Sequence, residues 1–338
     1  MASDVMLNRL DAISGVLANL APFDAAAAQA ARDRQTQLTK PPGSLGRLED
    51  LAVFMAGWRG TARPVIARAQ ALVFAGNHGI CVHGVSAFPA EVTAQMVANF
   101  AAGGAAINQL CAANGADLNV VALDLDRPTA DFTAGPAMTD EECLAAINAG
   151  AAAVDPAADI LILGEMGIGN STVAAALALA VFGGDAAQWV GPGTGADAAG
   201  IARKADVVAQ GVARHGARRG LDLLAALGGR EQAAICGAVL AARQSRIPVL
   251  LDGFICTAAV APLHALAPAT LDHCLIGHVS AEPGHRRLAA GLGKQPLLAL
   301  DMRLGEGSGA ALALGVVRSA LACHNGMATF AQAGVATA

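Results

Sequence analysis

The chain has 338 residues, of which 54% are hydrophobic and 14% are charged, and its net charge is −5. A composition this apolar excludes intrinsic disorder. The net negative charge and the lack of basic runs argue against binding of nucleic acid. A spanning helix needs ~20 apolar residues, and the most apolar windows, 173–184 and 233–242, are shorter. The start lacks a basic segment followed by an apolar one, so we expect a cytoplasmic protein that does not enter a membrane.

Short apolar runs alternate along the chain with longer helical stretches. After an N-terminal region of helices interrupted by KPPGSLG at 40–46, unalternating runs predict strands that are buried on both faces of a parallel sheet. The predicted strands are 70–75, 118–123, 159–163, 247–251 and, on weaker patterns, 273–277 and 297–300. The predicted helices are 91–113, 170–182, 199–215, 231–244 and 308–324. This order predicts an α/β fold with helices on both faces of the sheet.

Two glutamates stand between glycines directly after apolar runs. Glu306 lies in LGEGSG at 304–309, and Glu165 lies in GEMGIGN at 164–170. Taken alone, Glu306 is explained slightly better as a first-turn helix residue that complements the helix dipole. Since ligands of open parallel sheets bind at the carboxyl ends of the strands, the repeated arrangement favours a chemical role for both glutamates.

The turn at 164–172 has glycines and hydroxyls spaced as in a P-loop, but asparagine replaces the lysine that would reach the phosphates. An NTPase is therefore not expected, although backbone N–H groups at such a turn suit a phosphate. A second glycine-rich loop at 191–197 precedes Lys204, a possible point charge for the same phosphate. Seven cysteines without a CxxC pair predict neither a disulfide framework nor a structural metal.

Six segments together resemble a known family, the nicotinate-nucleotide–dimethylbenzimidazole phosphoribosyltransferases of cobalamin biosynthesis. They are KPPGSLGRLEDLA (40–52), GNHG with GVSAFPAEVTAQMV (76–97), GEMGIGNST (164–172), LLDGF (250–254), HVSAEPG (278–284) and MRLGEGSGAALAL (302–314). The resemblance runs in order from about residue 40 to 327.

This resemblance implies transfer of the phosphoribosyl group of nicotinate mononucleotide to 5,6-dimethylbenzimidazole, with inversion and without a cofactor or metal. It also implies a homodimer and a large Rossmann-like domain at 66–314, with a smaller helical part built from 1–65 and 315–338.

The family's site residues can be transferred to matching positions of this chain. The catalytic base falls on Glu306 and the second acid on Glu165. The implied phosphate and nucleotide subsite consists of Gly167, Gly169, Asn170, Ser171, Thr172, Lys204 and Ser280.

Phe88, Met96 and Met166 are the predicted contacts of the aromatic base. Enteric members have serine and glutamine where this chain has Phe88 and Met96, so the base pocket is expected to be more apolar here. Ordinary packing at a helix start explains Met96 almost as well.

Two other classes remain open from the residues alone. A non-catalytic binder of phosphate ligands would use the same glycine-rich loops but would leave Glu306 without a role. An NAD-dependent oxidoreductase is disfavoured because the chain lacks GxGxxG followed by an acid for the ribose.

Overall fold

The computed structural model describes residues 5–193 and 195–336, and these contain five strands and fifteen α-helices. The strands are β1 (Ala69–Ala75), β2 (Ala116–Ala122), β3 (Ile160–Met166), β4 (Val249–Leu251) and β5 (Cys274–Ile276). They form one all-parallel sheet in the order β2-β1-β3-β4-β5. The predicted α/β fold, a parallel sheet flanked by helices, is therefore confirmed.

The helices connect the strands and also extend beyond both ends of the sheet. They are α1 (Ile13–Ala18), α2 (Ala25–Gln37), α3 (Arg47–Arg59), α4 (Glu91–Ala101), α5 (Ala106–Asn114), α6 (Asp140–Ala153), α7 (Asn170–Phe182), α8 (Ala198–His215), α9 (Gly220–Leu227), α10 (Arg230–Gln244), α11 (Phe254–Ala259), α12 (Ala261–Leu266), α13 (Gly284–Gly291), α14 (Ser308–Gly326) and α15 (Phe330–Ala333). Within the described ranges, none of these helices has the length and apolar character needed to cross a membrane.

Alternating side chains of the central strands enter two separate cores. Leu72 and Phe74 of β1 join a core with α6, α7 and α10, whereas Ala71 and Val73 join a core with α3, α5 and α14. Because successive side chains of a strand point to opposite faces, helices cover the sheet on both sides. This double burial explains why the strand sequences are continuously apolar.

Two predicted elements differ from the structure. The helix predicted at 91–113 is divided into α4 and α5, because Gly103 takes a left-handed φ of +77° and ends the first helix. The strand predicted at 297–300 does not form; Leu298 makes only an isolated parallel bridge with His278. The backbone pairing beside β5 is short, because it involves only Leu297 and Leu298, whose N–H groups donate to the carbonyl oxygens of Ile276 (2.9 Å) and Gly277 (3.0 Å).

The two ends of the chain contact each other. Arg34 of α2 donates hydrogen bonds to the carbonyl oxygens of His324 (2.8 Å) and Met327 (3.2 Å), and Leu38 forms an antiparallel bridge with Thr329. Helices α3 and α14 pack on each other and also on the sheet. The division into 66–314 and a smaller part from 1–65 and 315–338 stays a prediction; residues 1–4 and 337–338 of that part lie outside the described residues.

Candidate active site

A cavity opens at the carboxyl edge of the sheet. Beside it the chain leaves β1 and β3 in opposite directions, which is where ligands bind in sheets of this strand order. The wall consists of 85–87, 165–171, 192–193, 252–255 and 303–305, with Ala196, Lys204, His278, Ser280 and Glu282. Residues that are far apart in sequence therefore meet because their strands end at the same edge.

The turn between β3 and α7 approaches the neighbouring backbone closely. A Cβ on Gly167 would lie 2.6 Å from the carbonyl oxygen of Gly76, and Gly169 has a left-handed φ of +92°. Only glycine fits the first position, and glycine fits the second without strain. The turn thus presents the N-terminus of α7, whose first N–H groups lack partners within the helix, to the cavity.

Lys204 reaches this helix N-terminus from α8. Its Nζ donates hydrogen bonds to Ser171 Oγ (3.1 Å) and to the carbonyl oxygen of Gly191 (3.2 Å). Burial lowers the pKa of Lys204, and the Glu282 carboxylate opposes that shift. A cation, a hydroxyl and helix N–H groups in one place form a subsite suited to an anion.

Glu306 occupies a strained turn before α14. Gly305, Glu306 and Gly307 have consecutive left-handed φ angles of +86°, +65° and +86°, and the conformation costs a non-glycine residue roughly 1–2 kcal/mol. Asp252, which follows β4, holds the turn in place. Its Oδ2 accepts a hydrogen bond from the Gly307 N–H (3.1 Å), and its Oδ1 accepts one from the Ala310 N–H (2.9 Å).

Acidic groups concentrate at this edge. Burial raises the pKa of Glu165 to about 8, with further contributions from the charges of Asp252 and Glu231, although a hydrogen bond from Asn170 Nδ2 opposes the shift. Burial also raises the pKa of Glu306; Asp252 adds to the shift and the Ile107 N–H opposes it. Glu306 Oε2 has no hydrogen-bond partner among the described residues. Both groups can therefore take up a proton more readily than an exposed carboxylate.

The structure places most of the predicted site residues on the cavity wall. Those that line it are Glu165, Met166, Gly167, Gly169, Asn170, Ser171, Lys204 and Ser280. The others lie outside the wall. Glu306 follows the wall residue Gly305 in sequence and is buried, and Thr172 is fully buried in α7. Phe88 is exposed next to the wall segment 85–87, and Met96 is half-buried against the core on the α14 side.

Two acids of the site were not assigned roles from the sequence. Asp252 holds the Glu306 turn, and Glu282 lies on the wall with one carboxylate oxygen accepting a hydrogen bond from the Gly193 N–H (2.8 Å). Asp252 directly follows a predicted strand and precedes a glycine, a signal that could have identified it. The second glycine-rich loop, 191–197, contributes Pro192, Gly193 and Ala196 to the wall; its Thr194 lies outside the described residues.

Fold and cavity together are those of an α/β protein with a subsite suited to an anion and with buried carboxyl groups at the same edge of the sheet. A family model described as phosphoribosyltransferase matches residues 20–335. A nicotinate-nucleotide–dimethylbenzimidazole phosphoribosyltransferase of Rhodobacter capsulatus is 63% identical over 98% of this chain and 99% of its own length. An enzyme of the same name from Novosphingobium aromaticivorans is 65% identical over 97% of both chains.

A solved structure agrees with these matches. The crystal structure of the Thermus thermophilus protein of the same name has a TM-score of 0.87 and 40% identity, covering 94% of this chain and all of its own. The chain belongs to the nicotinate-nucleotide–dimethylbenzimidazole phosphoribosyltransferase family. The resemblance found in the sequence is thereby confirmed, and neither the non-catalytic binder nor the oxidoreductase has support from these relatives.

Proposed function

We propose that this protein transfers the 5-phosphoribosyl group of nicotinate mononucleotide to 5,6-dimethylbenzimidazole, giving α-ribazole 5′-phosphate and nicotinate. The names of relatives that are more than 60% identical over nearly the whole chain support these substrates. The observation that carries the proposal is the strand-end cavity, whose wall holds both Glu165 and the Lys204 subsite, while the buried carboxyl group of Glu306 follows the wall residue Gly305.

The 5′-phosphate is proposed to bind at the N-terminus of α7. Gly167, Gly169 and Asn170 shape the turn, Ser171 and Lys204 supply donors, and Ser280 faces the same cavity from the loop after β5. Thr172 is proposed to support this turn from inside α7, since its side chain is fully buried. Helix N–H groups and a lysine satisfy a dianionic phosphate without a metal ion.

Transfer with inversion requires the benzimidazole nitrogen to attack the ribose carbon on the face opposite the nicotinate. Nicotinate leaves as a neutral ring from a cationic pyridinium, so no covalent enzyme intermediate is needed. The attacking base must lose its other ring proton, and Glu306 is proposed to accept it through the unpartnered Oε2. A positioned base of raised pKa contributes roughly 10²–10⁴ in rate.

Glu165 is proposed to support the cationic ring. With its pKa raised to about 8, the carboxyl is mostly protonated in the empty cavity at neutral pH. A pyridinium cation beside it would favour the ionised form and lower that pKa. Binding of the nucleotide and ionisation of Glu165 therefore favour each other, which directs the cationic end of the substrate towards this acid.

The aromatic base is proposed to lie between the wall segment 85–87 and Met166. Phe88 and Met96, which lie outside the wall, are proposed as further contacts of the base. We further propose that the protein acts in the cytoplasm as a homodimer.

A transfer assay tests the assignment. Glu306→Gln keeps the size of the side chain and removes its basicity, so kcat should fall roughly 100-fold or more while nucleotide affinity measured by calorimetry stays nearly constant. Glu165→Gln should reduce kcat less, and Glu141→Gln, which removes an exposed acid at the start of α6, is the matched control. If Glu306→Gln kept a near-normal kcat and Glu165→Gln were inactive, Glu165 would be the catalytic base and Glu306 the supporting acid. A wild type that binds the nucleotide without releasing nicotinate would refute the function.

A further inference from the structure

Glu282 is a buried acid at the anion subsite that the proposed chemistry does not use. It lies in the loop after β5 with only 6% of its surface exposed, and it lines the cavity. One oxygen, Oε1, accepts the hydrogen bond from Gly193, and the backbone N–H of Glu282 donates to Ser280 Oγ (3.2 Å). The second oxygen, Oε2, has no donor among the described residues. A buried acceptor without a donor is costly, so this oxygen is poised for a ligand that supplies one.

The group that would donate a hydrogen bond to Glu282 Oε2 must differ in chemistry from the anion that suits the neighbouring Lys204. Glu282 and Lys204 flank the same loop: Lys204 donates to the carbonyl oxygen of Gly191, and a Cβ on Gly191 would lie 2.3 Å from Glu282 Oε2. A phosphate dianion brings acceptor oxygens and negative charge, both of which a carboxylate repels. The group that suits Glu282 is therefore a neutral hydroxyl, attached close to the phosphate that suits Lys204.

In a 5′-nucleotide the ribose directly follows the phosphate and carries two hydroxyl groups. Carboxylates bind ribose hydroxyls in other α/β nucleotide sites, where the charged acceptor strengthens the hydrogen bond. We propose that Glu282 accepts hydrogen bonds from the ribose hydroxyls of the nucleotide and thereby selects ribonucleotides over deoxyribonucleotides. This inference rests on the proposed function, since it places the ribose of the transferred group at Glu282.

A purely structural role for Glu282 would be to fix the 191–193 loop through Gly193. Glu282→Gln separates the two roles. The amide oxygen of glutamine can still accept the Gly193 hydrogen bond, whereas the second oxygen becomes an NH₂ group that cannot accept one. If fixing the loop were the whole role, the variant would lower activity equally for every nucleotide.

The experiment compares kcat/KM for nicotinate mononucleotide and for its 2′-deoxy and 3′-deoxy analogues. In the wild type, loss of a hydroxyl bound to the carboxylate should reduce kcat/KM about 10- to 100-fold for at least one analogue. In Glu282→Gln that penalty should shrink to about threefold or less, because the two changes remove the same hydrogen bond. Glu141→Gln, an exposed acid at the start of α6, should keep the wild-type penalty.

Equilibrium binding of the same three nucleotides without benzimidazole provides a second readout that needs no turnover. If the wild type transferred no phosphoribosyl group but still bound the ribonucleotide more tightly than its deoxy analogues, the proposed function would be refuted and the proposed role of Glu282 would be supported. Equal affinity and equal kcat/KM of the wild type for all three nucleotides would overturn that role, even if the variant failed to fold. A full wild-type penalty in a folded Glu282→Gln protein would overturn it as well.

Discussion

Replacing Glu165 with glutamine should stabilise the empty protein at neutral pH. Below the ordinary pKa of 4.5 the carboxyl is protonated in both the folded and the unfolded chain. Between 4.5 and the folded pKa of about 8, the unfolded chain has released a proton that the folded chain keeps, so wild-type stability falls as the pH rises. At pH 7 the solution is about 2.5 pH units above the pKa of 4.5 that the carboxyl has in the unfolded chain. At ~1.4 kcal/mol per unit, and allowing for the small ionised fraction in the folded chain, the free energy of unfolding is lowered by about 3 kcal/mol.

Glutamine resembles the protonated acid in shape, and its amide oxygen can still accept the hydrogen bond from Asn170. The variant therefore avoids the cost of keeping this carboxyl un-ionised. For a chain of this length, about 3 kcal/mol corresponds to a rise in Tm of about 4 °C.

Thermal unfolding of wild type and Glu165→Gln at about pH 5 and at about pH 7.5 measures this effect. The two proteins should have similar Tm at the lower pH, and the variant should be more stable at the higher pH, with Glu91→Gln as the control for removing an exposed charge. A variant that is less stable than the wild type at the higher pH, or a Tm difference independent of pH, would refute the assignment of a raised pKa to Glu165.

Three further outcomes are expected. Lys204→Met should raise KM for the nucleotide at least about tenfold and leave KM for the benzimidazole nearly constant in steady-state assays; an unchanged nucleotide KM would remove Lys204 from the phosphate subsite. A Cβ on Gly164 would lie 2.5 Å from the carbonyl oxygen of Glu306, so Gly164→Ala should lower stability by about 1–3 kcal/mol in thermal unfolding and also lower kcat; a normal kcat would contradict the need for this close approach. If Phe88 and Met96 contact the base as proposed, kcat/KM should be higher for dimethylbenzimidazole than for adenine, whose polar edge would lose hydrogen bonds on burial; equal values would exclude an apolar pocket.

Much of the fold could be predicted because strands buried on both faces are continuously apolar. The prediction of 159–163 falls on β3, and the predicted helix 170–182 coincides with α7. The prediction of 247–251 begins two residues before β4, because Pro248 has no N–H to donate to a ladder. The break between α4 and α5 was readable in principle from Gly103 and Gly104.

The details of the site were less predictable, because they depend on contacts between residues that are distant in sequence. The glycines around Glu306 are visible in the sequence, but its left-handed φ and the two hydrogen bonds to Asp252 are not. The strand order is likewise invisible locally, yet it brings the loop after β4 next to the turn before α14. Sequence patterns predicted which residues lie at the carboxyl edge of the sheet, whereas the contacts among their side chains are visible only in the folded structure.

Asp252 links the strained turn at Glu306 to the raised pKa of Glu165, although burial is the larger cause of that pKa shift. Asp252 holds the Glu306 turn by accepting two backbone hydrogen bonds, and its buried charge also raises the pKa values of both glutamates. These acids are costly to bury in the empty protein, since no cation among the described residues is paired with Glu165 or Glu306. A pyridinium nucleotide would supply that cation. The same groups that destabilise the empty cavity would then bind the substrate by its positive ring, and their affinity would fall as the ring loses its charge during transfer.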